Sequence, residues 1–256
     1  MQPVLFIGHG SPMNAIENNT FTKTLNHLGK KLTKPDSVLV ISAHWYTHGT
    51  SVTYTDDNLE TIHDFGGFPT ELFNKQYHAK GSKKLAEIIY KLLKPTEVIY
   101  NQSRGLDHGA WSVMTHIFPD ADIQVAELSI DATKPPQYHF DLGQKLSVLS
   151  SRNVLIIASG NVIHSFEYMD TSKNAKPQTW ALDFQADFLN KLMSKNWNDL
   201  INFKDLKHCD KAINTADHYL PLFYVLGAAQ KNSKFEVLND EIQLGSMSML
   251  SFKFGE

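Results

Sequence analysis

Short apolar, β-branched runs alternate along the chain with longer stretches of helical period. Pro3–Ile7 (PVLFI), Ser37–Ser42 (SVLVIS), Glu97–Asn101, Ile123–Leu128 (IQVAEL) and Asn153–Ser159 (NVLIIAS) are bounded by turn residues and are predicted as buried strands. Phe235–Leu238 and Ser248–Phe254 are predicted as late strands, the second alternating too loosely to assign its faces. Between them, Ser82–Leu93 sets Leu85, Ile88, Ile89, Leu92 and Leu93 on one stripe, and Trp180–Met193 does the same with Leu182, Phe184, Phe188, Leu189 and Leu192. Pro136–Leu149, with proline near its start, and Asp217–Ala229 complete the main helices. Shorter helices are expected after Pro12 and from about Ala110. Strands alternating with helices predict an α/β fold: a single domain over residues 1–256, its central sheet mostly parallel or mixed and flanked by helices on both faces. The polar stretch Asp170–Pro177 is expected to be a loop inside that domain rather than a boundary.

Composition narrows the function. The 256 residues carry 24 Lys plus Arg against 27 Asp plus Glu, a net charge of −3, so nothing electrostatic supports a nucleic-acid or membrane partner. The longest apolar runs, such as Val38–Ile41 and Val154–Ala158, fall far short of the ~20 residues that span a bilayer. The segment from Met1 to Gly10 lacks a basic leader, and the expected compartment is the cytoplasm. One cysteine, Cys209, excludes an internal disulfide and a cysteine-based zinc cluster.

Twelve histidines are the unusual count. Three follow predicted strands: His9 in Gly8-His9-Gly10-Ser11-Pro12, His44 in Ala43-His44-Trp45, and His164 after Gly160-Asn161. In open α/β sheets the carboxyl edge of the strands is where ligands bind. His63 lies in a loop rich in glycine and aromatics, His108 just before a helix, and His218 at the opening of the last helix. Neutral imidazole is a ligand for zinc, iron and related ions. Asp107 and Asp217 each precede a histidine, and a carboxylate can hold the second ring N–H. His27, His48, His78, His116, His139 and His208 call for no function.

Other chemistries find no motif. Gly8–Gly10 continues into neither a dinucleotide fingerprint nor a P-loop, and no H-x-x-x-H pair exists. Gly-His-Gly-Ser is not a nucleophile elbow. Ser11 is expected to cap the helix after Pro12.

Taken together, these segments resemble the class III extradiol ring-cleaving dioxygenases, in the DOPA 4,5-dioxygenase (DODA-type) branch. The resemblance rests on Gly8-His9-Gly10-Ser11-Pro12-Met13, Ser42-Ala43-His44-Trp45, Ile62-His63-Asp64-Phe65-Gly66-Gly67-Phe68-Pro69, Asp107-His108-Gly109, Ala158 to His164, His218-Tyr219-Leu220-Pro221-Leu222 and Gly245 to Met249, in order along nearly the whole chain.

The resemblance implies a single-domain α/β enzyme with one non-haem metal. It implies His9, His44 and His218 as metal ligands, the last where related protocatechuate enzymes use a glutamate. His164 would be an acid–base residue, or a fourth ligand with zinc, and His108 a second active-site histidine. The implied metal is Fe(II) for turnover, with Zn(II) in the isolated protein, and the implied partners are a small aromatic diol and O2. Trp45, Phe65 and Phe68 would wall the ring pocket, and His63 would touch substrate or belong to a lid on Gly66-Gly67. A zinc hydrolase and a non-catalytic binding protein on the same fold are the alternatives.

Overall fold

In the computed structural model, which describes residues 1–172, 175–230 and 232–256, the apolar runs form ten strands. They are β1 (Val4–Gly8), β2 (Ser37–Thr47), β3 (Thr50–Thr53), β4 (Val98–Asn101), β5 (Gln124–Asp131), β6 (Val154–Gly160), β7 (Phe235–Asn239), β8 (Ile242–Gln243), β9 (Met247–Ser248) and β10 (Ser251–Phe254). Eight make one sheet in the order β4-β3-β5-β2-β6-β1-β10-β7, and β8 pairs with β9. Its middle, β5-β2-β6-β1, is parallel, while β3 joins β5 and β10 joins β1 in antiparallel sense. The expected α/β architecture with a mixed sheet is the one observed.

The helices are α1 (Thr20–Lys31), α2 (Thr70–Phe73), α3 (Lys83–Leu93), α4 (His108–Ile117), α5 (Pro136–Leu146), α6 (Val148–Ser151), α7 (Thr179–Met193), α8 (Trp197–Ile201), α9 (Cys209–Ala212) and α10 (Pro221–Ala228). On one face of the sheet α3, α5, α7 and α10 pack into a core containing Ile89, Leu142, Phe184 and Phe223. On the other, α1 and α4 bury Phe21, Leu25, Trp111 and Met114. Helices on both faces explain why the central strands have no solvent-facing side: every residue of β1 and β6 is buried.

Several elements depart from the period of the sequence. The predicted Pro136–Leu149 helix is two helices, broken at Ser147. The last helix starts at Pro221 rather than Asp217, because proline suits the first helical turn and the preceding residues form turns. β2 runs on to Thr47, and the predicted strand Ser248–Phe254 is interrupted after Ser248. The sequence pattern does not single out β3, whose Thr-Ser-Val-Thr has one apolar side chain, nor α1, whose buried stripe is only Phe21, Leu25 and Leu28. Within the expected loop Asp170–Pro177, Lys173 and Asn174 lie outside the described residues. Next to it, Asp170 and Gln178 donate backbone hydrogen bonds to Leu244 and Gly245, which ties the segment to the domain.

Register sets the site. Gly8 pairs with Gly160, and Ser42 with Ser159, so the carboxyl ends of β1, β2 and β6 are level. The residues that follow those positions emerge together at one edge of the sheet.

Candidate active site

Three imidazoles meet at that edge. His9 Nε2 lies 3.1 Å from His44 Nε2, and His218 Nε2 lies 3.2 Å from the same atom. The opposite nitrogen of each ring is already engaged. Ser159 donates its hydroxyl to the Gly109 carbonyl at 2.6 Å, so its oxygen accepts the His9 Nδ1–H at 2.9 Å. His218 Nδ1–H donates to Asp217 Oδ2 at 2.6 Å, and His44 Nδ1 faces Asp64 Oδ2 at 3.3 Å. With each Nδ1 carrying the ring proton, the three Nε2 atoms present lone pairs to one another. Burial pushes His9 well below its ordinary range, and burial together with His108 and His218 pushes His44 down to about 3, so no extra proton bridges that pair.

Lone pairs facing each other at hydrogen-bond distance without a proton are unfavourable unless a cation sits among them. Imidazoles bound to one divalent ion at about 2.0–2.1 Å are held roughly 3.0–3.4 Å apart, which matches the spacing here. The donor set fits a metal of the zinc or iron class.

The last of the three, His218, arrives from a different part of the chain. Its carbonyl accepts from Asn161 N at 2.9 Å, and a Cβ at Gly160 would stand 2.2 Å from that carbonyl oxygen. Only glycine at the end of β6 admits the turn that carries His218 over the sheet.

His108 opens α4. Its backbone N–H and its Nδ1–H both donate to Asp64 Oδ1, at 2.9 and 3.0 Å, which leaves Nε2 as an acceptor. Asp64 thus bridges two histidines, His44 and His108. Burial would raise its pKa, but the His108 hydrogen bonds and charge hold it at about 2. At Asp217 burial is likewise overridden by the bond from His218, and the carboxyl stays below its usual range. The expectation that Asp217 holds His218 is met. Asp107, adjacent to His108, does something else: it caps α4, accepting from Ala110 N at 3.1 Å, from Ser42 Oγ at 2.6 Å and from Arg104 Nη2 at 2.7 Å. The true partner of His108, Asp64, sits 44 residues earlier in the chain.

His164 stacks on His218 with ring centroids 3.5 Å apart and planes 4° from parallel. Its nitrogens do not join the His9, His44 and His218 group. Burial, then the neighbouring His218, lowers it to about 3, so it is neutral and ready to accept a proton.

Behind His44 lies a buried charged group that sequence reasoning missed. Glu127 on β5 is fully buried, neither oxygen has a hydrogen-bond partner, and Arg104 Nη2 stands 3.7 Å away. Burial and the Asp107 charge raise its pKa well above the ordinary value. The signal was a carboxylate inside the apolar run IQVAEL. Arg104 also covers the Trp45 ring at 5.1 Å.

These groups floor a cavity of about 860 Å³. His9, His44, His108, His164 and His218 line it, with Phe65 and Phe68 on one wall and Phe166, Met169 and Met247 among the other apolar residues. Trp45 and His63 do not line it. Trp45 is buried beneath Arg104, and His63 Nε2–H donates to the Lys75 carbonyl at 3.0 Å amid Phe65, Phe73 and Trp111. Ser11 caps the turn after Pro12 as expected, accepting from Met13 N. His139 and Cys209 are buried away from the cavity, and no described helix is long and apolar enough to cross a membrane.

Comparison with known proteins agrees with this geometry. The chain is 40% identical to the 4,5-DOPA dioxygenase extradiol of Escherichia coli (strain K12), over 99% of this chain and 94% of that one. It is 36% identical to the 4,5-DOPA dioxygenase extradiol of Beta vulgaris, over 99% and 97% of the two chains. The crystal structure of an uncharacterized protein from Escherichia coli K12 superposes with a TM-score of 0.85 at 35% identity, over 100% of both chains. The model of the family described as the catalytic LigB subunit of aromatic ring-opening dioxygenase matches residues 3–255, and the chain belongs to that family.

Proposed function

We propose that this chain, as one catalytic domain over residues 1–256, opens the ring of a catechol with a DOPA-like side chain, incorporating both atoms of O2 and releasing a semialdehyde. The supporting observation is the convergence of three Nε2 lone pairs, on His9, His44 and His218, at the floor of a largely apolar cavity, with each Nδ1 engaged elsewhere. Those three histidines are the proposed ligands, and Fe(II) is the proposed turnover metal. Bound there, Fe(II) supplies open positions for the diol and O2 and a redox couple between them, whereas Zn(II) fits the same nitrogens without redox chemistry. The proposed compartment is the cytoplasm.

The side chains do the rest. His108, its Nδ1–H fixed on Asp64, receives a substrate hydroxyl proton through Nε2 and stabilises charge at that oxygen. His164 is neutral, so it takes the proton of the second hydroxyl and returns it as the ring opens. Its stacking on His218 fixes the ring plane for both transfers and favours this role over that of a fourth ligand. Phe65 and Phe68 hold the aromatic ring and keep water off it. Trp45 and His63 act through position: Trp45 supports Arg104, and His63 anchors the loop that carries Asp64 and Phe65.

The test is oxygen uptake by anaerobically Fe(II)-loaded protein with L-DOPA, coupled to metal analysis. A yellow product at one O2 per catechol is expected, with stoichiometric metal lost in His9→Ala, His44→Ala and His218→Ala. No uptake across a panel of catechols would overturn the reading.

A further inference from the structure

The charges on the cavity wall are one-sided. Three carboxylates line it, those of Asp64, Asp217 and Glu167, and among the described residues no lysine or arginine does. Asp64 and Asp217 are spoken for by His108, His44 and His218. Glu167 is not: the group near it is the neutral Tyr168 hydroxyl, and among the described residues no cation pairs with it. It lies in a short 3-10 turn, Phe166–Tyr168, that follows His164 by two residues.

Beside it stands Phe166, whose ring meets the His164 ring edge-on at 4.8 Å yet is 71% exposed. Packing does not explain an aromatic left that open at the wall of a cavity. An aromatic face next to an unmatched carboxylate is the chemistry that recognises an ammonium group, through cation–π attraction and charge. The opposite wall, Phe65 and Phe68, offers only apolar surface.

We propose that Glu167 and Phe166 select substrates by a cationic amine on the catechol side chain, that a carboxylate on that side chain is not needed, and that a carboxylate alone is rejected. The inference rests on the ring-cleavage reading and names the substrate class for it. An arylethylamine carries its positive charge at neutral pH, as a lysine does. An anionic side chain would instead meet Glu167 in a cavity whose other two carboxylates already offset the charge of a divalent ion.

The test compares kcat/KM of the Fe(II)-loaded protein for dopamine, L-DOPA, 4-methylcatechol and 3,4-dihydroxyphenylacetate. Dopamine is expected to match or exceed L-DOPA, to exceed 4-methylcatechol by about tenfold, and to exceed the acetate by more. A second arm measures calorimetric binding of tyramine and 4-hydroxyphenylacetate to the metal-free protein, since neither has a diol to cleave. Tyramine is expected to bind more tightly, and Glu167→Gln to remove most of its advantage and most of the dopamine preference. Equal or better use of the acetate, or a preference unchanged in Glu167→Gln, overturns the proposal. If none of the catechols consumes O2 the ring-cleavage reading fails, and the tyramine arm alone decides the amine site.

Discussion

The rings of His164 and His218 lie face to face, 3.5 Å between centroids and 4° from parallel, although 54 positions separate them (218 − 164). The contact joins a proposed metal ligand to a proposed acid–base group and fixes the orientation of both. His164→Phe preserves an aromatic plane on His218 but has no nitrogen. It is expected to keep its stoichiometric metal and to lose about 10²–10⁴-fold in kcat, the usual worth of a positioned acid–base group. Metal analysis with single-turnover kinetics checks both halves; loss of metal would make His164 a ligand instead.

Asp64 and Asp107 predict opposite phenotypes. Asp64 holds the Nδ1 side of both His44 and His108, so Asp64→Asn is expected to weaken metal binding about 10–100-fold and to slow turnover, with little change in unfolding midpoint. Asp107 faces Arg104 and the start of α4, so Asp107→Ala leaves a guanidinium buried without its partner. A loss of about 3–5 kcal/mol in urea unfolding is expected there. Swapped outcomes would reverse the two assignments.

Glu127 carries a proton in the folded protein. Its folded pKa lies above the unfolded value, so its stabilising contribution is complete below about pH 4.5 and falls as pH rises toward the folded pKa. Glu127→Gln, which mimics the neutral acid, is expected to escape that loss. Unfolding curves from pH 5 to 8 are expected to show the wild type losing ground steadily to the variant. Parallel curves would mean that Glu127 is ionised in the fold.

His139 has the opposite sign. Burial lowers it to about 4 from 6.5, and its ring bonds the Tyr224 hydroxyl far from the cavity. The unfolded chain therefore binds the extra proton first, and stability present above pH 6.5 is lost as pH falls toward 4. The wild type is expected to lose about 3 kcal/mol more than His139→Gln between pH 7 and pH 4. Denaturant titrations at the two pH values measure that difference directly.

The sequence by itself determined the frame of the site. Buried runs ending at Gly8, Ser42 and Ser159 specify parallel strands, and parallel strands deliver whatever follows them, here His9, His44 and His164, to one edge. That much follows from hydrophobic period and turn residues, which are local. The resemblance of short motifs supplied His108 and His218, whose place no spacing rule gives.

Tertiary structure alone decided which groups hold those rings. Adjacency in sequence suggested Asp107 for His108, but an N-cap carboxylate must fold back on its own helix, so Asp107 is turned away and Asp64 from a distant loop takes its place. His63 and Trp45 sit beside the predicted site in sequence yet face the packing around it, because loop and strand orientation is fixed by contacts with Lys75 and Arg104. The pairing of Glu127 with Arg104 and Asp107, and the level register that brings the Nε2 atoms within 3.1–3.2 Å, likewise depend on strands neighbouring in space but not in sequence.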